Sequence, residues 1–249
     1  MRKLVFNRAA ETQPVQVPPP GAGNRCLYLF HHCVAAEDEA GQFGGWTDSP
    51  LTTLGLTQRA EMIDYCEAQD ITFEKLWSSD LLRATQTSEA LVTRAIDKVV
   101  TQTKRARSWG IGTVISGQLK TDKQYKDLKK FYVEHPDEMP PGDDAETLND
   151  SKSRWLAFMM SCFAMTGQGH ANGIVAHGNN IKNTCQTFGF GKLKVGHGAI
   201  CRLVLSDIGD LTFECLFQPK GSDIGAEDDD IRKTLKSGKV YRSERRYAE

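Results

Sequence analysis

The sequence lacks the features that would place it in several large classes of protein. It has no apolar run near the ~18 residues that a membrane-spanning helix needs. Its 31 basic and 32 acidic residues give a net charge of −1, so no overall field draws the chain to nucleic acid or to an anionic membrane. We therefore expect neither kind of partner. A homo-oligomer is left open.

The seven cysteines lack a pattern as well. They show no CxxC spacing, and an odd number cannot all form disulfides within one chain. We interpret them as small apolar core residues of a protein in a reducing compartment. The basic start, Met1 to Phe6, has too short an apolar stretch for a secretory signal. Both observations favour a cytoplasmic location.

Composition and length predict one large α/β domain. The chain has 249 residues, of which 39% are hydrophobic and 25% are charged, and these values are typical of a globular protein. Residues 1–24 are proline-rich and predict an extended arm. The fold is predicted over 25–217, with an insertion at 104–145 in a lid or specificity role. The charged residues 218–249 predict a loosely held tail.

Short apolar runs alternate with amphipathic stretches, which predicts alternating strands and helices. We predict strands over 26–30, 73–77, 99–103, 173–176, 199–205 and 211–217, the last two as a hairpin. Helices are predicted near 56–63 and over 78–92, 124–132, 146–165 and 179–187. This order is typical of a parallel sheet covered by helices on both faces.

Histidines follow two of the predicted buried strands. His31 and His32 come after the first strand, and His177 comes after the fourth. The carboxyl ends of parallel strands meet at one edge of a sheet, where open α/β folds bind ligands. We therefore expect the imidazoles to face one another, one as a nucleophile and one as its electrostatic partner.

An arginine near a helix start adds an anion-binding element to this edge. Arg83 is predicted one turn into the helix that Ser78-Ser79-Asp80 caps. A guanidinium forks two donors onto a phosphate or carboxylate, and the free N–H groups of a helix N-terminus favour an anion as well. Asn179 opens another helix directly after His177. The pattern predicts an anion site.

Three segments carry a resemblance to a known family. The segment from Phe43 to Gly55 (FGGWTDSPLTTLG) resembles the first-loop signature of the histidine phosphatase superfamily, which has the phosphoglycerate mutase-like fold. SSDLLRATQT, residues 78–87, resembles its second motif, and AHGN, residues 176–179, is similar to its second-histidine motif. The resemblance implies a three-layer α/β/α sandwich with a mostly parallel central sheet. It also implies phosphoryl transfer, for which we expect a phosphatase more than a mutase.

The resemblance implies a role for each candidate residue. His32 becomes the phosphohistidine, Arg83 clamps the phosphate, and His177 stabilises the transferred charge. His31 stands where the family has an arginine, and Cys33 where it has a glycine. The substrate is expected to be a small phosphorylated metabolite, with no cofactor. Its predicted contacts are His31, Asp38, Trp46, Thr47 and Asn179.

Two departures from the family pattern leave the chemistry open. The change from arginine to His31 removes a permanent cation and a bidentate donor, which puts about 10²-fold or more in rate at stake. The family's proton donor falls on Ala106 or Ser108, neither of which is an acid. Glu146, with two aspartates nearby, is the predicted substitute.

Two alternatives therefore stand beside the phosphatase. Imidazoles bind iron, zinc and copper, so His31, His32 and His177 form a candidate metal set for a repurposed metal-dependent enzyme. Successive residues of a strand point to opposite faces, so this set requires that the strand ends at the histidines. A non-catalytic binding protein is the other alternative. The remaining histidines, His135, His170 and His197, are predicted to be solvated.

Overall fold

The computed structural model describes residues 21, 23–191, 193 and 195–221, together with the backbone of 240–242. Most of the predicted N-terminal arm and most of the predicted C-terminal tail lie outside the described residues. No helix in the described ranges is both long and apolar enough to cross a membrane.

Strands and helices alternate along the described chain as predicted. The strands are β1 Arg25–His31, β2 Leu76–Ser79, β3 Val100–Thr103, β4 Ala171–Ala176, β5 Ile200–Leu205, β6 Leu211–Phe217 and β7 Val240–Arg242. The α-helices are α1 Ala36–Glu39, α2 Thr53–Ala68, α3 Leu82–Leu91, α4 Lys123–Glu134, α5 Leu148–Ala164 and α6 Gly178–Thr187. Short 3₁₀ helices lie at Val92–Arg94 and Lys104–Ala106.

One sheet contains all of these strands, in the order β3–β2–β4–β1–β5–β6–β7. Strands β3, β2, β4 and β1 are parallel, whereas β5, β6 and β7 pair antiparallel. The mostly parallel sheet and the terminal hairpin are therefore confirmed, and residues 240–242 of the predicted tail add an edge strand. Because β1 is paired along both sides, its carboxyl end is held firmly in place.

The two faces of the sheet carry separate hydrophobic cores. Leu27 and Leu29 of β1 pack in the core that includes residues of α5 and α6. Cys26, Tyr28 and Phe30 alternate with them and join the core that includes residues of α2 and α3. This period of two is what a strand buried on both faces requires. The predicted three-layer α/β/α sandwich is therefore confirmed.

The second strand and the following helix begin later than predicted. The strand runs over Leu76–Ser79, and Phe73 forms only a single bridge. Both serines are therefore buried in the strand instead of capping the helix. The helix begins at Leu82, whose backbone N–H donates to Asp48 Oδ1 at 2.5 Å. The cap comes from a loop far back in the sequence, which a local pattern cannot reveal.

The insertion at 104–145 is anchored to the loop that precedes α2. Gly117 N donates to Phe43 O at 2.7 Å, and Phe43 N donates to Gln118 O at 2.9 Å. A third small core lies beneath these bonds and contains Phe43, Trp109, Ile111, Ile115 and Leu148. The segment is thus packed against the main fold, and its lid role stays a prediction.

The cysteines behave as apolar residues. All seven have free thiols, and six of them are buried. Burial raises the pKa of the Cys33 thiol to about 12, although the Thr87 hydroxyl opposes this shift. Cys33 therefore stays protonated near neutral pH. The free thiols agree with the prediction that the cysteines serve as small apolar core residues.

Asn172→Ala is expected to destabilise the protein by about 1–3 kcal/mol. Asn172 is a fully buried residue of β4. Its side-chain oxygen accepts the Lys75 N–H at 3.0 Å, and its amide donates to Thr166 Oγ1 at 2.8 Å. The substitution leaves the Lys75 N–H without its acceptor and removes the bond to Thr166 Oγ1, which keeps its own bond to Cys162 O. Urea denaturation measures the cost. Gln102→Ala, at an exposed position of β3, is the control, and equal losses in both variants would contradict this role.

Candidate active site

The carboxyl ends of three parallel strands bring the predicted residues together. His31 ends β1 and His32 follows it, Arg83 lies in the first turn of α3 after β2, and His177 caps α6 after β4. The His32 ring centroid lies 4.8 Å from that of His31 and 5.0 Å from that of His177. Arg83 Nε donates to His32 Nε2 at 3.3 Å. These four side chains therefore share one buried cluster.

The end of β1 allows adjacent histidines to meet. His31 is the last residue of β1. His31 N donates to Ala199 O, and His32 N donates to Ala176 O, so the backbone still bonds to the chain on both sides where the strand ends. Their rings contact edge to face at 80°. A Cβ on Gly178 would lie 3.0 Å from His31 Cε1, so any larger residue at that position would press on the ring.

Hydrogen bonding fixes the protonation of His32. Its Nδ1 lies 2.8 Å from Cys33 O, and a carbonyl oxygen only accepts, so Nδ1 carries the proton. Nε2 therefore presents its lone pair, and the bond from Arg83 Nε agrees with this assignment. Burial, with the charges of His31 and Arg83, holds the pKa of His32 well below its usual value. The ring is thus neutral and nucleophilic at Nε2.

His177 has one ring nitrogen engaged and one free. Its Nε2 lies 2.9 Å from Ser79 Oγ, whereas its buried Nδ1 has no hydrogen-bond partner within the described part of the chain. Burial, followed by the charges of Arg83 and His32, holds the pKa of His177 well below its usual value. If the Ser79 hydroxyl donates to Nε2, the proton lies on Nδ1. That nitrogen can then donate to a phosphoryl oxygen.

The Arg83 guanidinium is buried and uses all three of its nitrogens. Nη1 donates to Thr47 O at 2.6 Å, Nη2 to Gly45 O at 3.0 Å, and Nε to His32. A carboxylate compensates the charge, since Glu37 Oε1 lies 3.1 Å from Arg83 Nη1. The predicted phosphate clamp is therefore already occupied by protein atoms. A phosphate has to replace some of these contacts.

Glu37 is a functional candidate that the sequence did not single out. It lies in α1, its side chain is buried, and neither carboxylate oxygen accepts an aligned hydrogen bond among the described residues. The contact with Arg83 is thus an ion pair without hydrogen-bond alignment. Burial raises the pKa of Glu37, although the Arg83 charge opposes this shift. A periodicity argument does not find such a residue, because α1 has only one turn.

His197 is a correction to the sequence prediction. It was expected to be solvated, but its side chain is only 15% exposed, and its Nε2 lies 3.2 Å from Asp38 Oδ1. Its ring centroid lies 4.6 Å from that of His31 and 5.2 Å from that of His32. The direction of the hairpin explains the error. Since β5 runs antiparallel to β1, the residues before β5 lie at the same edge as the histidines after β1.

Asp38 connects this fourth histidine to the short helix α1. Its Oδ2 accepts the Ala35 N–H at 3.1 Å, and its Oδ1 faces His197. Burial alone would raise the pKa of Asp38, but the hydrogen bond from His197 and the nearby ring charges lower it below its usual range. The carboxylate is therefore ionised and acts as an acceptor for the imidazole. Its predicted substrate contact stays a prediction.

The other predicted substrate contacts are engaged within the protein. Trp46 Nε1 donates to Ser108 O at 2.8 Å, and Thr47 Oγ1 donates to Gly44 O at 2.6 Å. Asn179 lies in the first turn of α6 and is partly buried. Trp46 and Thr47 belong to the loop whose carbonyls accept from Arg83, whereas Asn179 follows His177 by two residues. Their binding roles stay predictions.

Glu146, the predicted proton donor, is held in an ion pair. Its Oε2 accepts from Arg154 Nε at 2.9 Å, and its Oε1 accepts from Arg154 Nη2 and from Gly110 N. Both oxygens therefore act as acceptors, and a proton on either would disrupt these bonds. The structure gives no direct contact between Glu146 and the His32 ring. Its catalytic role stays a prediction.

A metal could be held by a different set from the one predicted. One nitrogen from each of His31, His32 and His197 lies within 4.8 Å of the others. His177 was the predicted third member, but its engaged nitrogen faces Ser79. The burial of all these rings, with His31, His32 and His177 at 5, 4 and 2% exposure, restricts access to small ligands.

Arg83→Met is expected to cost about 3–5 kcal/mol of stability, because it leaves the buried Glu37 carboxylate without a cation. The double variant with Glu37→Gln should lose less stability than the two single variants lose in sum, by about 0.5–3 kcal/mol. Chemical denaturation of the four proteins in this cycle measures the coupling. Additive losses would mean that the two side chains do not interact.

Comparisons with known proteins agree with this geometry. Residues 27–194 match the model of the histidine phosphatase superfamily, branch 1. The 2,3-bisphosphoglycerate-dependent phosphoglycerate mutase of Rhizobium etli is 26% identical over 165 residues, which cover 64% of this chain and 78% of that protein.

Solved structures show the same fold. A phosphoglycerate mutase from Bacillus anthracis str. Sterne superposes with a TM-score of 0.63 at 21% identity, covering 75% of this chain and 90% of that one. A protein described as mycobacterial hydrolase 1 gives 0.60 at 21% identity, covering 73% and 92%. Phosphoryl transfer is the general chemistry of this group of proteins. The family match covers most of the chain, and the chain therefore belongs to the histidine phosphatase superfamily.

Proposed function

We propose that the protein hydrolyses a small phosphorylated metabolite of the cytoplasm through a phosphohistidine at His32. The observation that carries the proposal is the bond from His32 Nδ1 to Cys33 O, which leaves Nε2 unprotonated. Its lone pair faces Arg83 Nε at 3.3 Å and becomes available for attack when the guanidinium turns to the phosphate. The deep burial of the ring supports a small substrate. It also favours in-line attack, because a packed ring cannot rotate away from the phosphorus.

In the first step, His32 Nε2 attacks phosphorus, the P–N bond forms and the P–O bond to the leaving group breaks. Arg83 and the free nitrogen of His177 donate to the phosphoryl oxygens as charge moves onto them. In the second step, water attacks the same phosphorus, the P–N bond breaks, and phosphate leaves. The water proton passes to the base that the leaving-group acid has become.

Charge favours hydrolysis over a mutase reaction. A mutase binds an intermediate that carries two phosphates, and each phosphate needs cationic partners. This cluster places the Arg83 guanidinium beside the carboxylates of Glu37 and Asp38, and the family's arginine is replaced by His31. Burial and the His197 charge lower the pKa of His31 to about 3, so this ring supplies no cation near neutral pH.

Glu37 is the better candidate for the leaving-group acid. It contacts the same guanidinium that bonds His32, and its oxygens accept no aligned hydrogen bonds among the described residues. Glu146, by contrast, has both oxygens engaged by Arg154 or Gly110. An acid has to hold a proton and release it without dismantling its surroundings. Glu37 meets this requirement more closely.

His32→Ala is expected to abolish the phosphoenzyme and to lower aryl phosphate hydrolysis about 10³-fold or more. Rapid quenching of the metal-free protein with a labelled aryl phosphate should trap an adduct that is stable in base and labile in acid, as phosphohistidine is. His170→Ala removes an exposed histidine from the opposite edge of the sheet and is the matched control. An adduct that persists in His32→Ala would exclude His32 as the nucleophile.

Glu37→Gln should slow phenyl phosphate hydrolysis about 10²–10⁴-fold and 4-nitrophenyl phosphate hydrolysis much less. The reason is that a good leaving group departs without a proton, whereas a poor one needs the acid. Steady-state rates for both esters measure the difference, and Glu146→Gln is the comparison variant. A leaving-group dependence confined to Glu146→Gln would assign the acid to Glu146 instead.

A further inference from the structure

We propose that His31, His32 and His197 form a binding site for a divalent first-row transition metal of the iron-to-zinc group. The three rings come from the end of β1 and from the residues just before β5. One nitrogen from each lies within 4.8 Å of the others. Imidazole nitrogens are the ligands that zinc, copper and ferrous iron accept readily.

The hydrogen bonds of the cluster are those of metal-bound histidines. His31 Nδ1 lies 2.9 Å from Gly196 O and 3.2 Å from Val195 O, and His32 Nδ1 lies 2.8 Å from Cys33 O. His197 Nε2 faces the Asp38 carboxylate at 3.2 Å. Histidines that bind metals almost always donate their other N–H to a carbonyl or carboxylate in this way.

Each ring therefore keeps one unprotonated nitrogen, although that of His32 accepts from Arg83 Nε. The proton lies on Nδ1 of His31 and His32 and on Nε2 of His197, because carbonyl and carboxylate oxygens only accept. His197 Nδ1 is buried and has no hydrogen-bond partner in the described part of the chain. An unpaired buried nitrogen is costly unless something fills the position opposite it. A metal ion would do so for His197 Nδ1.

Binding requires a small contraction of the cluster. At metal–nitrogen distances of about 2.0–2.1 Å, tetrahedral ligand nitrogens lie about 3.3 Å apart. The present separations reach 4.8 Å, so the rings have to move together by about an ångström. This contraction requires small tilts of the rings about the hydrogen bonds that anchor them to Gly196 O, Cys33 O and Asp38 Oδ1.

Charge also favours a cation here. The carboxylates of Asp38 and Glu37 lie beside the cluster. Within these contacts, the guanidinium of Arg83 is the single group that offsets their two negative charges. Arg83 itself opposes metal binding because it donates to His32 Nε2. That bond is long, at 3.3 Å, and the guanidinium keeps its bonds to Thr47 O and Gly45 O when it is released.

One consequence rests on the proposed function. The nitrogen of His32 that would bind the metal is the one that would attack phosphorus, so the two uses exclude each other. A metal-loaded site should not form phosphohistidine. The metal-free protein should. The site thereby couples phosphoryl transfer to the free concentration of a transition metal.

The experiment titrates tag-free, chelator-treated protein with Zn²⁺ or Co²⁺ alone. We expect one ion per chain, and visible absorption of bound Co²⁺ typical of nitrogen coordination. Mg²⁺ prefers oxygen ligands and should not compete. Absence of stoichiometric Zn²⁺ binding to the wild-type protein would overturn the proposal without recourse to any variant.

Variants test which histidines bind. His31→Gln and His197→Gln should each weaken Zn²⁺ binding at least about 10-fold, and Asp38→Asn should do so by about 10- to 100-fold through His197. His177→Gln and His170→Gln should retain the wild-type affinity. Circular dichroism confirms that each variant is folded. Unchanged affinity in His197→Gln, or a loss confined to His177→Gln, would reject this ligand set.

A final arm separates the two proposals. Protein preloaded with one equivalent of Zn²⁺ should give no labelled phosphohistidine, and chelation should restore it. Phosphohistidine formation at full Zn²⁺ occupancy would overturn the metal site at His32. Stoichiometric Zn²⁺ binding by a protein that never forms phosphohistidine would support the metal site and contradict the proposed hydrolysis.

Discussion

The arrangement of the site depends on one buried cation. The Arg83 side chain is 3% exposed, and a charge in that position is tolerated only when it is paired and hydrogen-bonded. Its partners come from three separate segments: His32 after β1, the carbonyls of Gly45 and Thr47 in the following loop, and Glu37 in α1. The guanidinium thus fixes the position of the loop relative to His32, the candidate nucleophile.

The cluster around this cation consists of neutral rings and carboxylates. Burial keeps His31, His32 and His177 unprotonated near neutral pH, and the Asp38 carboxylate stays ionised beside His197. A phosphate brought into this cluster depends on Arg83 and on neutral N–H donors, which bind an anion less strongly than a second guanidinium would. The presence of His31 in place of the family's arginine therefore leaves this edge of the sheet with one positive charge fewer.

Much of the fold, and part of the side-chain cluster, could be predicted from the sequence. The apolar runs predicted the alternation of strands and helices, and the motifs around His32, Arg83 and His177 identified residues that the fold does bring together. The sequence could not reveal the Asp48 cap of α3, because that contact links a loop to a distant helix. His197 was missed because its place depends on the antiparallel direction of β5, which sets the edge at which the residues before that strand lie.

One hydrogen-bonding choice underlies both uses of the site. The carbonyl of Cys33 fixes the proton of His32 on Nδ1, and both the proposed attack on phosphorus and the proposed metal binding use the lone pair that this leaves on Nε2. In a site rich in arginine, nearby positive charge disfavours the metal and attracts the phosphate. Here His31 takes the place of such a charge, and His197 with Asp38 adds a third imidazole with an anionic partner. The replacement of an arginine by His31 thus bears on both proposed chemistries, because it removes a cation that would attract phosphate and repel a metal ion.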